Sequence, residues 1–138
     1  MKSSTTSRAG YMIYQNAATW QLRMGNNSNA VANVLNGGTV TPGEWQHLAA
    51  VYTGGTNGTM TLYVNGVSVG SLLLPGVGYE ANDSTEFRIG AFAAPNRTFD
   101  GAVDEVAFYG AELTGHSRVE VLLVGLTQHS MVNGLVPV

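Results

Sequence analysis

Cysteine is absent from the 138 residues, which excludes disulfides, thiolate metal sites and a cysteine nucleophile. Charge is also scarce: Asp, Glu, Lys and Arg make up 11% of the chain, and the formal net charge is −3. The six basic residues (Lys2, Arg8, Arg23, Arg88, Arg97 and Arg118) form no stripe, so no nucleic acid partner is expected. No apolar run approaches the roughly 20 residues of a spanning helix, so no membrane insertion is expected either. The opening segment MKSSTTSRAGYM lacks the apolar core of a secretory signal peptide, and the compartment stays unknown from the chain itself. With so few charges, a solvated surface must be built largely from Ser, Thr, Asn and Gly.

What is present is a hydrophobic content of 44%, delivered in short runs. Turn clusters break these runs about every 8–12 residues, the spacing of an antiparallel sandwich or barrel. Residues 1–10 read as a flexible polar lead-in and residues 11–138 as one domain. YMIYQ (11–15) and TWQLRM (19–24) read as a hairpin, and AVANVL (30–35) as a short strand closed by a turn at NGG (36–38). WQHLAAVYT (45–53) is the clearest long strand. TMTLYVN (59–65) turns through Asn65-Gly66 into VSVGSLLL (67–74), because Asn-Gly supplies the two positive φ angles of a type I′ turn. EFRIGAF (86–92) and FDGAVDEVAFY (99–109) read as further strands. Ser117 with Glu120 three residues on fits a capping box, which predicts a short helix over 113–125. The tail from Leu126 reads as one more strand. The fold class is all-β, an antiparallel β-sandwich with one short helix near the C-terminus.

Strand alternation assigns faces. Trp45, His47, Ala49 and Val51 share one face, and Leu48, Ala50 and Tyr52 the other. Met60, Leu62 and Val64 point inward. In the last strong strand, Ala102, Asp104, Val106 and Phe108 oppose Val103, Glu105, Ala107 and Tyr109. The adjacent pair Asp104 and Glu105 is therefore split between faces and cannot act on one substrate atom. Asp104 falls in line with Val106 and Phe108. It is expected to be partly buried, braced by turn N–H groups or by the ring of His47.

Four stretches in order, W-x-H-L-A-x-V-Y (45–52), L-Y-V-N-G (62–66), F-R-I-G (87–90) and F-D-G-x-V-D-E-V-x-x-Y with L-T (99–114), resemble the laminin-G-like, concanavalin A-like jelly-roll domains common in bacterial secreted and surface proteins. The resemblance covers roughly residues 10–125. It implies two stacked sheets, an extracellular or cell-surface setting, and a structural framework of Trp45, His47, Asn65, Gly66, Gly90, Gly101 and Asp104. It also implies a binding module for carbohydrate, sulfated glycan or a surface protein, in some members with a calcium ion at the rim. Such domains carry additional strands ahead of the segment that begins here at Tyr11. The sandwich is therefore expected to be N-terminally shortened and completed either by the tail or by a second copy, as a homodimer.

Glycoside hydrolysis would need two carboxylates on one face in an E-x-D-x-x-E arrangement, which the sequence lacks; Asp100 and Asp104, four apart, could share a face, but Asp100 lies at a strand start beside Gly101. No G-x-S-x-G occurs, and His47, His116 and His129 have no zinc-ligand spacing, so an enzyme is not expected. No cofactor is required. Calcium is the metal that the loop oxygens admit, with Glu80, Asp83 and Asp100 as ligands. Sugar binding calls for exposed aromatics beside amides and guanidinium groups. Trp20, Arg23, Tyr63, Tyr79, Asn82 and Arg97 are the candidate ligand-binding residues, and Trp20 is the first to test. The alternative to a binding module is a structural, self-assembling protein.

Overall fold

The computed structural model describes residues 2–3, 9–26, 33–82, 86–92 and 98–110, together with the backbone of 120–128. Among these residues nine strands form two antiparallel sheets, with no helix. β1 (Lys2–Ser3), β2 (Gly10–Asn16), β3 (Thr19–Gly25) and β4 (Asn33–Thr39) form a four-stranded sheet in chain order. β5 (Trp45–Tyr52), β6 (Thr59–Val64), β7 (Val67–Leu73), β8 (Gly101–Tyr109) and β9 (Glu120–Gln128) form the second, in the order β7-β6-β5-β9-β8. The expected all-β sandwich is the observed one.

Both expected hairpins form. β2 and β3 pair from Gly10↔Gly25 to Asn16↔Thr19 across a turn at Ala17-Ala18, with Ala17 at a φ of 51°. Asn65 and Gly66 adopt φ values of 51° and 78°, the double positive that a type I′ turn requires. Alternation then builds the core. Trp20, Leu22, Met24 and Leu35 from the first sheet meet Leu48, Ala50, Tyr52, Met60, Leu62 and Val64 from the second.

The glycines read as a turn at 36–38 belong instead to the strand β4, and their role is close approach. A Cβ on Gly37 would meet the Val69 carbonyl oxygen at 2.8 Å, and one on Gly38 the Val64 Cγ2 at 2.6 Å. The sheets touch here because these positions have no side chain. β4 begins at Asn33, later than the predicted strand, whose residues 30–32 lie outside the described chain.

The helix predicted over 113–125 is corrected over its described part: residues 120–128 form β9, paired to β5 on one side and β8 on the other, and residues 113–119 lie outside the described residues. Val121-Leu122-Leu123-Val124 is an unbroken aliphatic run, and a short apolar run is compatible with a central strand as well as with a helix. Ser117 and the tail beyond Gln128 lie outside the described residues. The strand predicted at 86–92 is also corrected. That segment holds only an isolated bridge, Ala91↔Thr98, and Phe87 and Ile89 are exposed. Alternation made the segment competent to pair, but among the described residues no neighbouring strand supplies a ladder. The lead-in is not wholly free either, since Lys2 and Ser3 pair with Tyr11 and Gly10.

The most consequential departure is in β8. Its pairing with β9 shifts between Asp104 and Ala107, and Glu105 adopts a φ of 50°. This is a bulge that places Glu105 in a left-handed conformation usually taken by glycine. The extra residue resets the alternation, so Val103 and Val106, three apart, both pack against the core. Regular alternation had put them on opposite faces.

Candidate functional site

Of the six residues proposed to bind ligand, the five that are described do not converge. Trp20 is 1% exposed, so its ring cannot stack on a sugar. It lies between the sheets against Phe99, and its indole Nε1–H donates to Gln46 Oε1 at 3.1 Å. Gln46 is buried too. Its Oε1 also accepts the Thr41 N–H at 2.9 Å, and its Nε2 donates to the Thr39 carbonyl at 2.9 Å. One side chain thus ties the end of β4 to the start of β5 and to the core indole. Tyr79 packs inward, edge-on to Tyr52 with ring centroids 5.2 Å apart. Asn82 is buried, with its amide 3.5 Å from the Ala9 carbonyl. Trp20 and Asn82 are thus buried and Tyr79 is half-buried against the core rather than presented to solvent; Trp20 places its ring in the core and its N–H on an amide partner, and the Asn82 amide meets a backbone carbonyl.

Arg23 sits across β2–β3 from Met12, two residues along the ladder from the Tyr14↔Gln21 pair, on the outer face of the four-stranded sheet. Gln21 donates from Nε2 to Asn36 Oδ1 on that face. Burial pushes the Tyr14 phenol above its ordinary pKa, against an opposing pull from Arg23. Tyr63 lies on the outer face of the other sheet. Arg97 lies outside the described residues.

Of the calcium candidates, Asp83 lies outside the described residues. The side chains of Glu80 and Asp100 are exposed. The backbone of Glu80 is engaged, its N–H donating to Gly25 at 3.1 Å and its carbonyl accepting from Gly10 at 2.9 Å. Among the described residues no three His, Asp or Glu side chains gather where they could hold a metal ion.

The framework residues divide in two. Asn65 Oδ1 accepts the His47 N–H at 2.8 Å, which fastens the turn to β5; Gly66 completes that turn. Gly90, at a φ of 72°, accepts the Phe99 N–H at 2.7 Å, and Gly101 opens β8 opposite Gln128. Trp45 and His47, in contrast, have exposed side chains, with Trp45 58% exposed. Asp104 is exposed rather than partly buried, and its Oδ1 accepts the N–H of Glu105 at 2.8 Å rather than meeting His47. The bulge explains this: the carboxylate caps the amide that the left-handed residue turns outward.

These exposed residues share one surface. On the outer face of the five-stranded sheet, Trp45 pairs through Thr127 to Ala102, His47 through Gly125 to Asp104, and Tyr63 through Ala49 and Leu123 to Ala107. His47 and Asp104 both oppose Gly125, so their Cα atoms are two strand spacings apart, about 9–10 Å, with no side chain between them. Trp45 stands one alternate position from His47, about 7 Å along β5. The result is an aromatic wall beside a gap that has an imidazole on one side and a carboxylate on the other. Sequence reasoning treated Trp45, His47 and Asp104 as framework. The signal that would have found them was already present, since Trp45 and His47 fall on the strand face opposite Leu48, Ala50 and Tyr52.

Such an arrangement can hold a polyhydroxylated ring, the indole taking the apolar ring face while the imidazole and carboxylate meet hydroxyls at its edge. No curated protein and no solved structure matches the chain. A laminin-G-like family, described as the concanavalin A-like lectin/glucanases superfamily, matches residues 2–117, and the two face-packed antiparallel sheets agree with it. The chain belongs to the concanavalin A-like lectin/glucanases superfamily.

Proposed function

We propose that this domain is a non-catalytic carbohydrate-binding module that binds through the outer face of the five-stranded sheet. The superfamily includes both lectins and glycosidases, so membership alone does not choose between them. The observation that carries the reading is Trp45, a ring 58% exposed on a regular strand beside His47 and across the Gly125 gap from Asp104. Tryptophan is among the residue types enriched at the energetic centres of recognition surfaces. The carboxylates on this face argue for binding over hydrolysis. Asp104 and Glu105 are neighbours on one exposed bulge, so neither is set opposite the other across a scissile bond.

The test is a glycan array with wild type and Trp45→Ala. Wild type is expected to bind, and the variant to lose at least about tenfold in affinity, the effect of roughly 1.4 kcal/mol. Its melting temperature should change little, because the ring is outside the core. An array silent for wild type, or equal binding by both proteins, defeats the reading.

A second reading, self-assembly, is favoured by the edge strand β7. VSVGSLL carries no charge and no proline, and leaves Val67 65% and Leu73 57% exposed. Uncharged aliphatic edges of this kind pair with further strands unless they are blocked.

A further inference from the structure

The two sheets differ in charge, and the difference bears on what the Trp45 face can accept. The five strands of the larger sheet contain no lysine and no arginine; their charged residues are Asp104, Glu105 and Glu120. The four strands of the smaller sheet contain Lys2 and Arg23 and no acid. Each sheet therefore carries strand charge of one sign only.

The gap beside Trp45 follows from this. Its floor is Gly125, and the next positions along β8 on this face are Ala102 and Ala107. Asp104 is an acceptor only, so a ligand group facing it must bring a hydrogen: a hydroxyl, or an ammonium that adds charge attraction. A sulfate or carboxylate brings no hydrogen and meets a like charge. On the far side the His47 imidazole and the Trp45 indole N–H are the ring donors, and His47 faces the carboxylate across the gap, so an anionic group held by the imidazole would sit opposite a like charge. A carboxylate hydrogen bond is stronger than one to a neutral acceptor, so the charge on Asp104 also contributes to binding.

We infer that the Trp45–His47–Asp104 face selects uncharged or amino-bearing sugar rings and rejects sulfated and uronic glycans. This rests on the reading of that face as a carbohydrate site and adds its ligand class, which the choice among neutral sugars, sulfated glycans and proteins otherwise leaves open. Selectivity here is built by the repulsive element as much as by the attractive one.

The experiment follows intrinsic fluorescence. The chain has two tryptophans, and Trp20 is sealed in the core, so changes on ligand addition report Trp45. Four probes are titrated: laminarihexaose and mannohexaose as neutral chains, a chitosan hexamer as an amino-bearing chain, and a heparin hexasaccharide as a sulfated one. Asp104→Asn is tested alongside, because the asparagine carbonyl still accepts the Glu105 N–H and so preserves the bulge. At least one neutral or amino-bearing probe is expected to bind wild type at least about tenfold more tightly than the heparin probe. Asp104→Asn should weaken that probe by roughly tenfold, in keeping with loss of a charged acceptor, and narrow its lead over heparin. Trp45-dependent binding of heparin alone, or at equal affinity, overturns the selectivity while leaving a carbohydrate site in place. Unchanged affinity in Asp104→Asn overturns the role of the carboxylate. No binding of any probe overturns the selectivity together with the reading it rests on.

Discussion

Trp20 sits between the sheets with its indole N–H donated to Gln46, so replacing it with alanine removes a buried ring and strands a buried amide. Trp20→Ala should cost about 3–5 kcal/mol of unfolding free energy, read as a fall in the urea midpoint. Trp45→Ala should leave that midpoint almost unmoved, and the contrast separates core from surface tryptophan in one measurement. Tyr14 gives a pH test. Its phenol is raised above the ordinary value by burial, with Arg23 pulling the other way. A group with a raised folded pKa keeps its stabilising contribution below the unfolded value and loses it as pH rises through the folded one. Stability should therefore fall above about pH 10, the ordinary tyrosine pKa, and Tyr14→Phe should flatten that fall relative to wild type in denaturant titrations across the range. An equal decline in both proteins would remove Tyr14 from the account. At this scale the sequence was a mixed guide. Asn65-Gly66 declared its turn outright, because only residues tolerant of positive φ fit there. Trp20 and Trp45 are chemically identical, and the sequence could not say which is buried and which exposed, because accessibility is not a property of a residue type.

Among the elements, β8 holds the least regular backbone. Glu105 occupies a positive φ that costs a non-glycine residue about 1–3 kcal/mol, and glycine is the usual occupant of such a bulge. Glu105→Gly should relieve that strain, offset by about 0.5–1 kcal/mol from the greater freedom of glycine in the unfolded chain. The expected net is a stabilisation of about 1 kcal/mol, measured by chemical denaturation; destabilisation would show that Glu105 makes a compensating contact. The strand itself was legible from its apolar alternation. The bulge was not, because it arises from the mismatch between β8 and its partner β9, and no single strand carries that information. β9 illustrates the same limit, since an aliphatic run with a capping-box sequence ahead of it pointed to a helix. Ladder partners on both sides made it a strand. At 86–92, a segment with strand-like composition received no ladder and stayed open. β4 reverses the case: its Gly37 and Gly38 resembled a turn locally, and it is the opposing sheet that requires glycine there.

At the level of the molecule, the sandwich has a charge division between its sheets and an uncharged outer strand at β7. Self-association through β7 predicts a dimer or larger species by light scattering at micromolar concentration, converted to monomer by Val67→Lys with Leu73→Lys, since charged edges resist strand addition. A monomeric wild type would leave β7 as an unused edge. Composition alone removed disulfide and thiolate chemistry, and the spacing of apolar runs and turn residues was enough to place the chain among antiparallel sandwiches with Met60, Leu62 and Val64 pointing inward. Those properties are local or additive along the chain. Which tryptophan faces solvent, that His47 and Asp104 flank one glycine, and that acids collect on one sheet and bases on the other were decided only when β9 inserted between β5 and β8. These are relations between residues far apart in sequence, and only pairing brings them onto one surface.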